Sequence, residues 1–498
     1  MTSAPESRRA STLRGALGWT ALSALLPGVG HVRSGRRWGW LLLAVTVSGV
    51  ATAAFYVGDF DRAVDLVLDP SRLRVVALLA VSVLLLWLAV VVSTYFLLRP
   101  SGLRRGRSAA GLAALVVLCA LLASPVAVGA RYAMVQADLV EEVFHDNRTA
   151  TTPQDVTEED PWGGRDRVNV LLLGGDGSVT RDGLRTDSVI LVSVNTRTGD
   201  AVMFSLPRNL TGPEFPVGSP LHALYPEGFY PSDDPAAAML NAVYGQVPAL
   251  HPGVLGGSDN EGADAVKLAV EGTLEIRVHY YVLANLQGFR EIVDALGGVT
   301  VNVNEPVAIN GSIDRGIPPT DYLDPGPDRR LDGFEALWFA RGRWGSDDYE
   351  RMLRQRCMVR AIIDEAKPLT VLRRYQQLVA AGQEIVRTDV PAELLPAFVD
   401  LALKVKDAEV RSVAFVRSDA FYPEDPDLDW LREQVDKALA QPPPRTRGEP
   451  STPEPSPEPT AEPGDPTASP EPEVDPGAPV DLADSCEYDP EGWSTSDG

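Results

Sequence analysis

Histidine and cysteine are scarce in this chain of 498 residues, with five copies of the first and three of the second. The histidines (His31, His145, His222, His251, His279) are scattered, so a zinc site or a histidine-based triad has little support. No GxxxxGK[ST], HExxH or GxSxG occurs, and the enzyme classes that carry those signatures lose their main argument. Positive charge is also short: the net charge is −23. An acidic chain argues against nucleic acid as a partner, because phosphate contacts need a basic face. The imbalance is uneven. Residues 441–498 hold 14 acids against two arginines, a net of −12 and over half of the total. From 441 to 480 that segment is mainly Pro, Glu, Ser, Thr and Asp, cannot bury a core and is expected to be disordered. The closing DLADSCEYDPEGW has some apolar content, and Cys486 gives it a point at which to dock back.

Long apolar runs, in contrast, are plentiful. Residues 38–57, 75–98 and 109–129 carry no charge, and each is about as long as the ~20 helical residues that cross a bilayer core. Residues 17–30 are apolar but short and hold Pro27, so they read as an interfacial or re-entrant segment. Arginine sets the orientation. Six arginines lie in residues 1–37, and four with no acid lie in 99–107. The loop between the first two spans carries Asp59, Asp61, Asp65 and Asp69. The bias predicts a multi-pass protein of the cell membrane, with a cytoplasmic N-terminus, three crossings and everything after Arg131 outside. Cys357 and Cys486 then both lie outside, where they form either a disulfide or two unpaired thiols. Cys119 sits in an apolar run.

The predicted organisation is a cytoplasmic segment 1–37, three transmembrane helices in 38–130, a polar linker 131–165, a globular domain 166–440 and an acidic tail 441–498. Within the domain, 168–173, 188–194 and 201–206 read as strands, the last two as a hairpin across the polar turn 196–200. Further strands are expected at 279–284, 299–303 and 409–416. Helices are expected at 236–244, 262–274, 286–296, 332–339, 348–366, 369–384, 392–405 and 428–439. Strands and helices do not alternate regularly. The fold class is therefore an α/β (α+β-like) sandwich, a mixed central sheet flanked by helices, preceded by an N-terminal transmembrane helical module.

One run concentrates the chemistry. Within the sixteen residues from Arg341 to Arg356, RGRWGSDDYERMLRQR places Arg341, Arg343, Arg351, Arg354, Gln355 and Arg356. Guanidinium forks fit phosphate bidentately and stay charged. Arg341 and Arg343 point the same way in an extended segment. Positions 348, 351 and 355 share one helix face, so Asp348 can support Arg351 while Gln355 reaches an oxygen. Leu337, Trp338, Phe339 and Trp344 nearby argue against a merely solvated face, since buried guanidinium needs a partner. Upstream, Asp176 and Asp187 flank predicted strands, with Arg185 and Arg208 at strand edges. Should those strands be neighbours, both carboxylates reach one rim of the sheet and offer Mg²⁺ two hard ligands, substrate phosphates completing its shell. The blander reading is turn aspartates that cap local backbone.

The segments NVLLLGGDG, LRTDSVILVSVNTRTGD, SLPRN, LNAVYG, FREIVDALGGVTVNV and LDGFEALWFARGRWGSDDYERMLRQR follow in that order. Together they resemble the catalytic domain of the LytR-CpsA-Psr family, over roughly 168–416. The resemblance implies a phosphotransferase that moves a glycopolymer from a polyprenyl pyrophosphate carrier onto the muramic acid 6-hydroxyl of peptidoglycan. It implies Mg²⁺ (or Mn²⁺) at Asp176 and Asp187, and a clamp in which Arg341, Arg343, Arg351 and Gln355 act on the pyrophosphate. Arg185, Arg208 and Arg354 add binding contacts, and the lipid lies in an apolar tunnel between sheet and helices. Three departures stand out: Asn209 where an acid usually follows Pro-Arg, Met239 where a lysine is common, and three spans instead of one. Alternatives are a non-enzymatic binder or attenuator of the lipid-linked polymer, and a lipid pyrophosphatase that uses water as acceptor.

Overall fold

The computed structural model describes residues 10, 12–58, 66, 69–101, 103–143, 149, 151–175, 185–311, 316–366, 386–440 and 477–489. They form two compact units, Met1–Glu142 and Val143–Gly498.

The first unit is helical. Helix α1 (Leu13–Leu25) starts at Thr12, whose hydroxyl accepts from the Gly15 N–H at 3.1 Å. A short α2 (Val29–Arg33) follows a left-handed Gly28. Helices α3 (Trp38–Val57), α4 (Pro70–Leu98) and α5 (Arg105–Val143) are each long and apolar enough to cross a membrane. Segment 17–30 is not such a helix. It packs on α4, with Ser23 and Thr94 hydroxyls 3.2 Å apart. Gly30 lies so close to α4 that a Cβ would stand 2.2 Å from Thr94 Cγ2. The third span continues past the expected end at residue 129 to Val143, through Pro125. Residues 131–143 are therefore helix and not an extended linker.

The rest of the expected linker belongs to the second unit. Thr149, Thr151 and Thr152 are buried. Thr149 and Thr151 donate to Asp264 Oδ1 at 3.2 and 2.5 Å, and Ser258 donates to its Oδ2 at 2.5 Å. Beside them Lys267 Nζ meets Asp389 Oδ2 at 2.5 Å, both side chains 1% exposed. Lys267 also donates to the His279 and Thr151 carbonyls, and Asp389 Oδ1 accepts the Tyr281 N–H at 2.7 Å. A buried charge survives only when paired and hydrogen-bonded. This knot satisfies that condition and fastens residues 149–152 to the domain.

Among the described residues the sheet has seven strands: β1 (Arg167–Gly175), β2 (Thr186–Asn195), β3 (Ala201–Leu206), β4 (Tyr280–Asn285), β9 (Val386–Thr388), β10 (Val410–Ala414) and β11 (Val480–Asp481). Their order is β11-β10-β3-β2-β1-β4-β9. The pairs β1/β4 and β3/β10 are parallel and the others antiparallel, so the sheet is mixed. Side chains alternate between its faces. Leu171, Leu173, Leu191 and Phe204 join a fully packed core with α6 (Leu240–Leu250), α7 (Glu261–Leu274) and α12 (Leu428–Ala440). The opposite face is covered by α8 (Leu286–Leu296), α9 (Gly333–Arg341) and α10 (Asp348–Glu365). Two ribbons complete that side: β5 (Val299–Val303) with β8 (Gly326–Leu331), and β6 (Val307–Ile309) with β7 (Asp321–Leu323). Helix α11 (Leu395–Asp407) follows β9.

The six expected strands are all present, as β1, β2, β3, β4, β5 and β10. Strands β6, β7, β8, β9 and β11 went unpredicted, being short or set in Pro-, Gly- or charge-rich sequence. The helix expected at 369–384 lies outside the described residues. The tail is a partial correction. Residues 477–489 are ordered: β11 pairs with β10, and α13 (Leu482–Ser485) buries Leu482. Cys486 forms a disulfide with Cys357 on α10, Cα atoms 5.6 Å apart.

Candidate functional site

Several chain ends meet at one rim of the sheet. Gly175, closing β1, stands opposite Thr186, the first residue of β2. The same glycine pairs with Asn285, the last residue of β4. Two cross-strand rows face the helices α8 to α10: Ile190–Leu172–Val282, and Ser188–Gly174–Ala284. A Cβ on Gly174 would lie 3.0 Å from that of Ser188. The rows form the floor of a cavity of about 850 Å³, at the upper end of the usual range for small-molecule sites.

Five guanidinium groups line it: Arg185, Arg208, Arg341, Arg343 and Arg351, with Gln355 among them. Each is placed by a local device. Arg185 precedes β2. Arg208 lies in the turn Pro207–Leu210, and its carbonyl accepts the Asn241 N–H at 3.1 Å. Its Nη1 donates to Asp187 Oδ1 at 2.8 Å. Arg341 ends α9, a helix opened by the reciprocal Asp332–Glu335 capping box. Its guanidinium sits 5.8 Å from the Trp338 ring centroid. Extended Gly342 then separates it from Arg343. A side chain there would meet Val307 Cγ1 at 2.8 Å and the Ala308 carbonyl at 2.9 Å.

Helix α10 begins at Asp348, as expected, and its N-cap Asp347 accepts the Tyr349 and Glu350 N–H groups at 2.8 Å each. Arg351, Gln355, Met358 and Ile362 then face the cavity on successive turns. Arg351 is only 4% exposed. Gln355 Nε2 donates to the Ala340 carbonyl at 3.2 Å, tying α10 to the end of α9.

Arg354 is not brought to the site. It points to the other side of α10, where Nε donates to the Phe339 carbonyl at 2.9 Å and Nη2 to Gly342 and Ser346. Those bonds, not the helix spacing, take it from the cavity, and it braces the Gly342 turn. Arg356 is also structural. It is buried against Ser412, and burial pulls its pKa down to about 10. Asp176 lies outside the described residues. Sequence reasoning missed the cavity's polar Asn285 and Asn310. Asn285 was legible, since it sits between strand and helix and caps α8 at Gly288. Asn310 owes its place to a left-handed turn, φ 62°, which no pattern announced.

The cavity is chemically divided. Among its described lining residues, the five guanidiniums meet one carboxylate, Asp187. Such an excess suits a ligand with several anionic oxygens. Away from them the lining is apolar, with Phe289, Ile292, Leu337, Val359 and Ile363. The donor chemistry also fits a hard divalent ion, which takes one or two carboxylates plus phosphate oxygens. Asp187 presents one partly exposed carboxylate at this point. Among the described residues no three of His, Cys, Asp and Glu gather around a common point.

Over this domain the chain is similar to known proteins. The LytR_cpsA_psr family profile matches residues 133–424, and the chain belongs to that family. It is 30% identical over 287 residues to polyisoprenyl-teichoic acid–peptidoglycan teichoic acid transferase TagT of Bacillus subtilis, 55% of this chain and 75% of that protein. It is 30% identical over 238 residues to the TagU transferase of Oceanobacillus iheyensis, 46% of this chain. There it spans 61% of the relative's length, less than two thirds. Among solved structures, Bacillus subtilis TagV is similar at 21% identity and TM-score 0.39, covering 56% of this chain and 99% of that one.

Proposed function

We propose that this protein is a membrane-anchored phosphotransferase that moves a glycopolymer from a polyprenyl pyrophosphate carrier onto peptidoglycan, as the names of its relatives describe for teichoic acid. The carrying observation is the division of one cavity into a five-guanidinium mouth and an apolar interior. Its counterpart is an amphiphile with a diphosphate head and a hydrocarbon tail. Placement of the domain outside the cytoplasmic membrane is supported by the arginine bias of the flanking loops and by the Cys357–Cys486 disulfide.

The chain's own residues bind, orient and neutralise. Arg341, Arg343 and Arg351 hold pyrophosphate oxygens, and Arg185 and Arg208 flank them across the rim. Gln355 adds a neutral donor. The acceptor's 6-hydroxyl oxygen forms a bond to the sugar-proximal phosphorus while the bond from that phosphorus to the bridging oxygen breaks. Polyprenyl phosphate leaves, and the hydroxyl proton passes to a base. Preorganised guanidiniums stabilise the charge that builds on the leaving phosphate. Mg²⁺ or Mn²⁺, held by Asp187 and Asp176, would supply further neutralisation of the same oxygens when bound. Trp338 and the apolar floor keep the lipid end dry.

The test uses the full chain in detergent with a synthetic polyprenyl-pyrophosphoryl sugar, Mg²⁺ and a peptidoglycan fragment. A phosphodiester-linked product by mass spectrometry is expected. Arg341→Ala should lower its rate by roughly 100-fold or more with an unchanged melting curve, and excess EDTA should stop turnover. A full rate in Arg341→Ala would remove the clamp.

A further inference from the structure

Beside the cavity mouth, on the Arg208 side, lies a second cluster that the transfer chemistry does not use. Asn209, next to Arg208, donates from Nδ2 to Glu424 Oε1 at 3.1 Å. Glu424 pairs with Arg417 at 2.5 Å. The Arg417 guanidinium lies 5.8 Å from the Tyr422 ring centroid and hydrogen-bonds the Tyr349 hydroxyl. Tyr349 is two residues before Arg351. The cluster thus joins three elements, two of which also supply cavity arginines.

Its loop is anchored. Phe421 is fully buried and stacks on Trp430 at 5.7 Å. The Pro423 carbonyl accepts the Thr211 N–H at 2.8 Å, and Ser418 and Phe421 bridge backbone to backbone. Between these anchors Tyr422 is held outward, 46% exposed. Arg417 and Glu424 stay about half exposed, at 50% and 48%. A lone surface tyrosine would mean nothing. Here a fixed aromatic face adjoins an amide, a carboxylate and a guanidinium, and the Arg417–Glu424 pair is charge-balanced. The cavity, with five guanidiniums, selects anions. This cluster offers instead a stacking plate for the apolar face of a pyranose ring and donors and acceptors for its hydroxyl and acetamido groups.

We propose that Tyr422, Arg417, Glu424 and Asn209 form an acceptor subsite for an amino-sugar glycan strand, which holds a free primary hydroxyl at the mouth of the cavity. The proposal rests on the phosphotransferase reading for its role, and its binding can be measured without it. The full chain in detergent is titrated, with no donor present, with a peptidoglycan tetrasaccharide of alternating N-acetylglucosamine and N-acetylmuramic acid. Saturable binding is expected, weakened about tenfold in Tyr422→Ala and retained in Tyr422→Phe, with melting curves unchanged. In the transfer assay Tyr422→Ala should raise the acceptor KM about tenfold, leaving kcat and donor affinity as in the parent. Equal tetrasaccharide affinity in the parent and Tyr422→Ala overturns the subsite, as does a loss of donor affinity in Tyr422→Ala. Tetrasaccharide binding that depends on Tyr422, with no donor transfer by the parent, leaves the subsite standing and sinks the phosphotransferase reading instead.

Discussion

The two faces of the seven-stranded sheet come from alternate residues of the same strands, yet one is solid and the other hollow. Leu171, Leu173, Val189 and Leu191 press against α6, α7 and α12 with exposures of 0 to 3%. Their immediate neighbours Leu172 and Ile190 look into the cavity. The filled face buries its apolar area and supplies stability. The hollow face gives up part of that stability to keep room for a ligand. Charge follows the same division. The knot of Lys267, Asp389 and Asp264 is closed upon itself, whereas the arginines of the rim line the cavity.

This contrast can be broken most severely at the knot. Asp389→Ala leaves Lys267 buried without its carboxylate and should cost about 3–5 kcal/mol. Chemical denaturation in detergent would show it, and a loss below 1 kcal/mol would mean that water reaches the site. Next come adjacent leucines. Leu171→Ala should destabilise by about 2–5 kcal/mol, and Leu172→Ala by about 1 kcal/mol or less, since it already borders open space. Equal losses would show that the cavity is filled in solution.

The knot also predicts a pH effect. Burial lowers the His279 pKa to about 4, and its Nδ1 accepts the Asn169 N–H at 2.9 Å, which requires the neutral ring. A folded pKa below the unfolded value of about 6.5 means that the unfolded chain binds the proton first. Stability is therefore whole above pH ~6.5 and falls as pH drops from there toward 4, by up to about 3 kcal/mol. A His279→Gln variant should lose that dependence in urea titrations at stepped pH. Among the arginines, Arg354→Ala should cost about 1–3 kcal/mol by stranding the Phe339 and Gly342 carbonyls. Smallest is Arg341→Ala, expected to change stability by under about 0.5 kcal/mol, because its side chain is exposed at the rim. Matching melts for these two variants would erase the distinction between brace and clamp.

Much of this was readable from the chain. The hairpin 188–206 follows from two apolar runs around a polar turn, and α8 from Asn285 at one end and Gly297 at the other, its left-handed cap. Arg341 and Arg343 were read as partners in one extended segment, whereas Arg341 ends helix α9 and the extended chain starts only at Gly342. Arg354 was read as turning partly away from the face of Arg351 and yet as a binding contact, since only the packing partners of each face decide which group reaches the cavity. The linker was misread for a related reason. Thr149, Thr151 and Thr152 look like solvated polar residues until Asp264 and Asp389, over a hundred positions away, are brought to them.

Local order along this chain was determined by sequence alone: strand and helix periods, caps, apolar spans and the arginine-rich run, all of which depend on residues within a few positions of each other. Tertiary structure decided the rest. It chose which alternate strand residues meet a cavity, which guanidinium braces a turn, and that Cys486 returns across 129 residues to Cys357. Those outcomes depend on contacts between distant segments, whose pairing is set by how whole surfaces pack and is written in no single stretch of sequence.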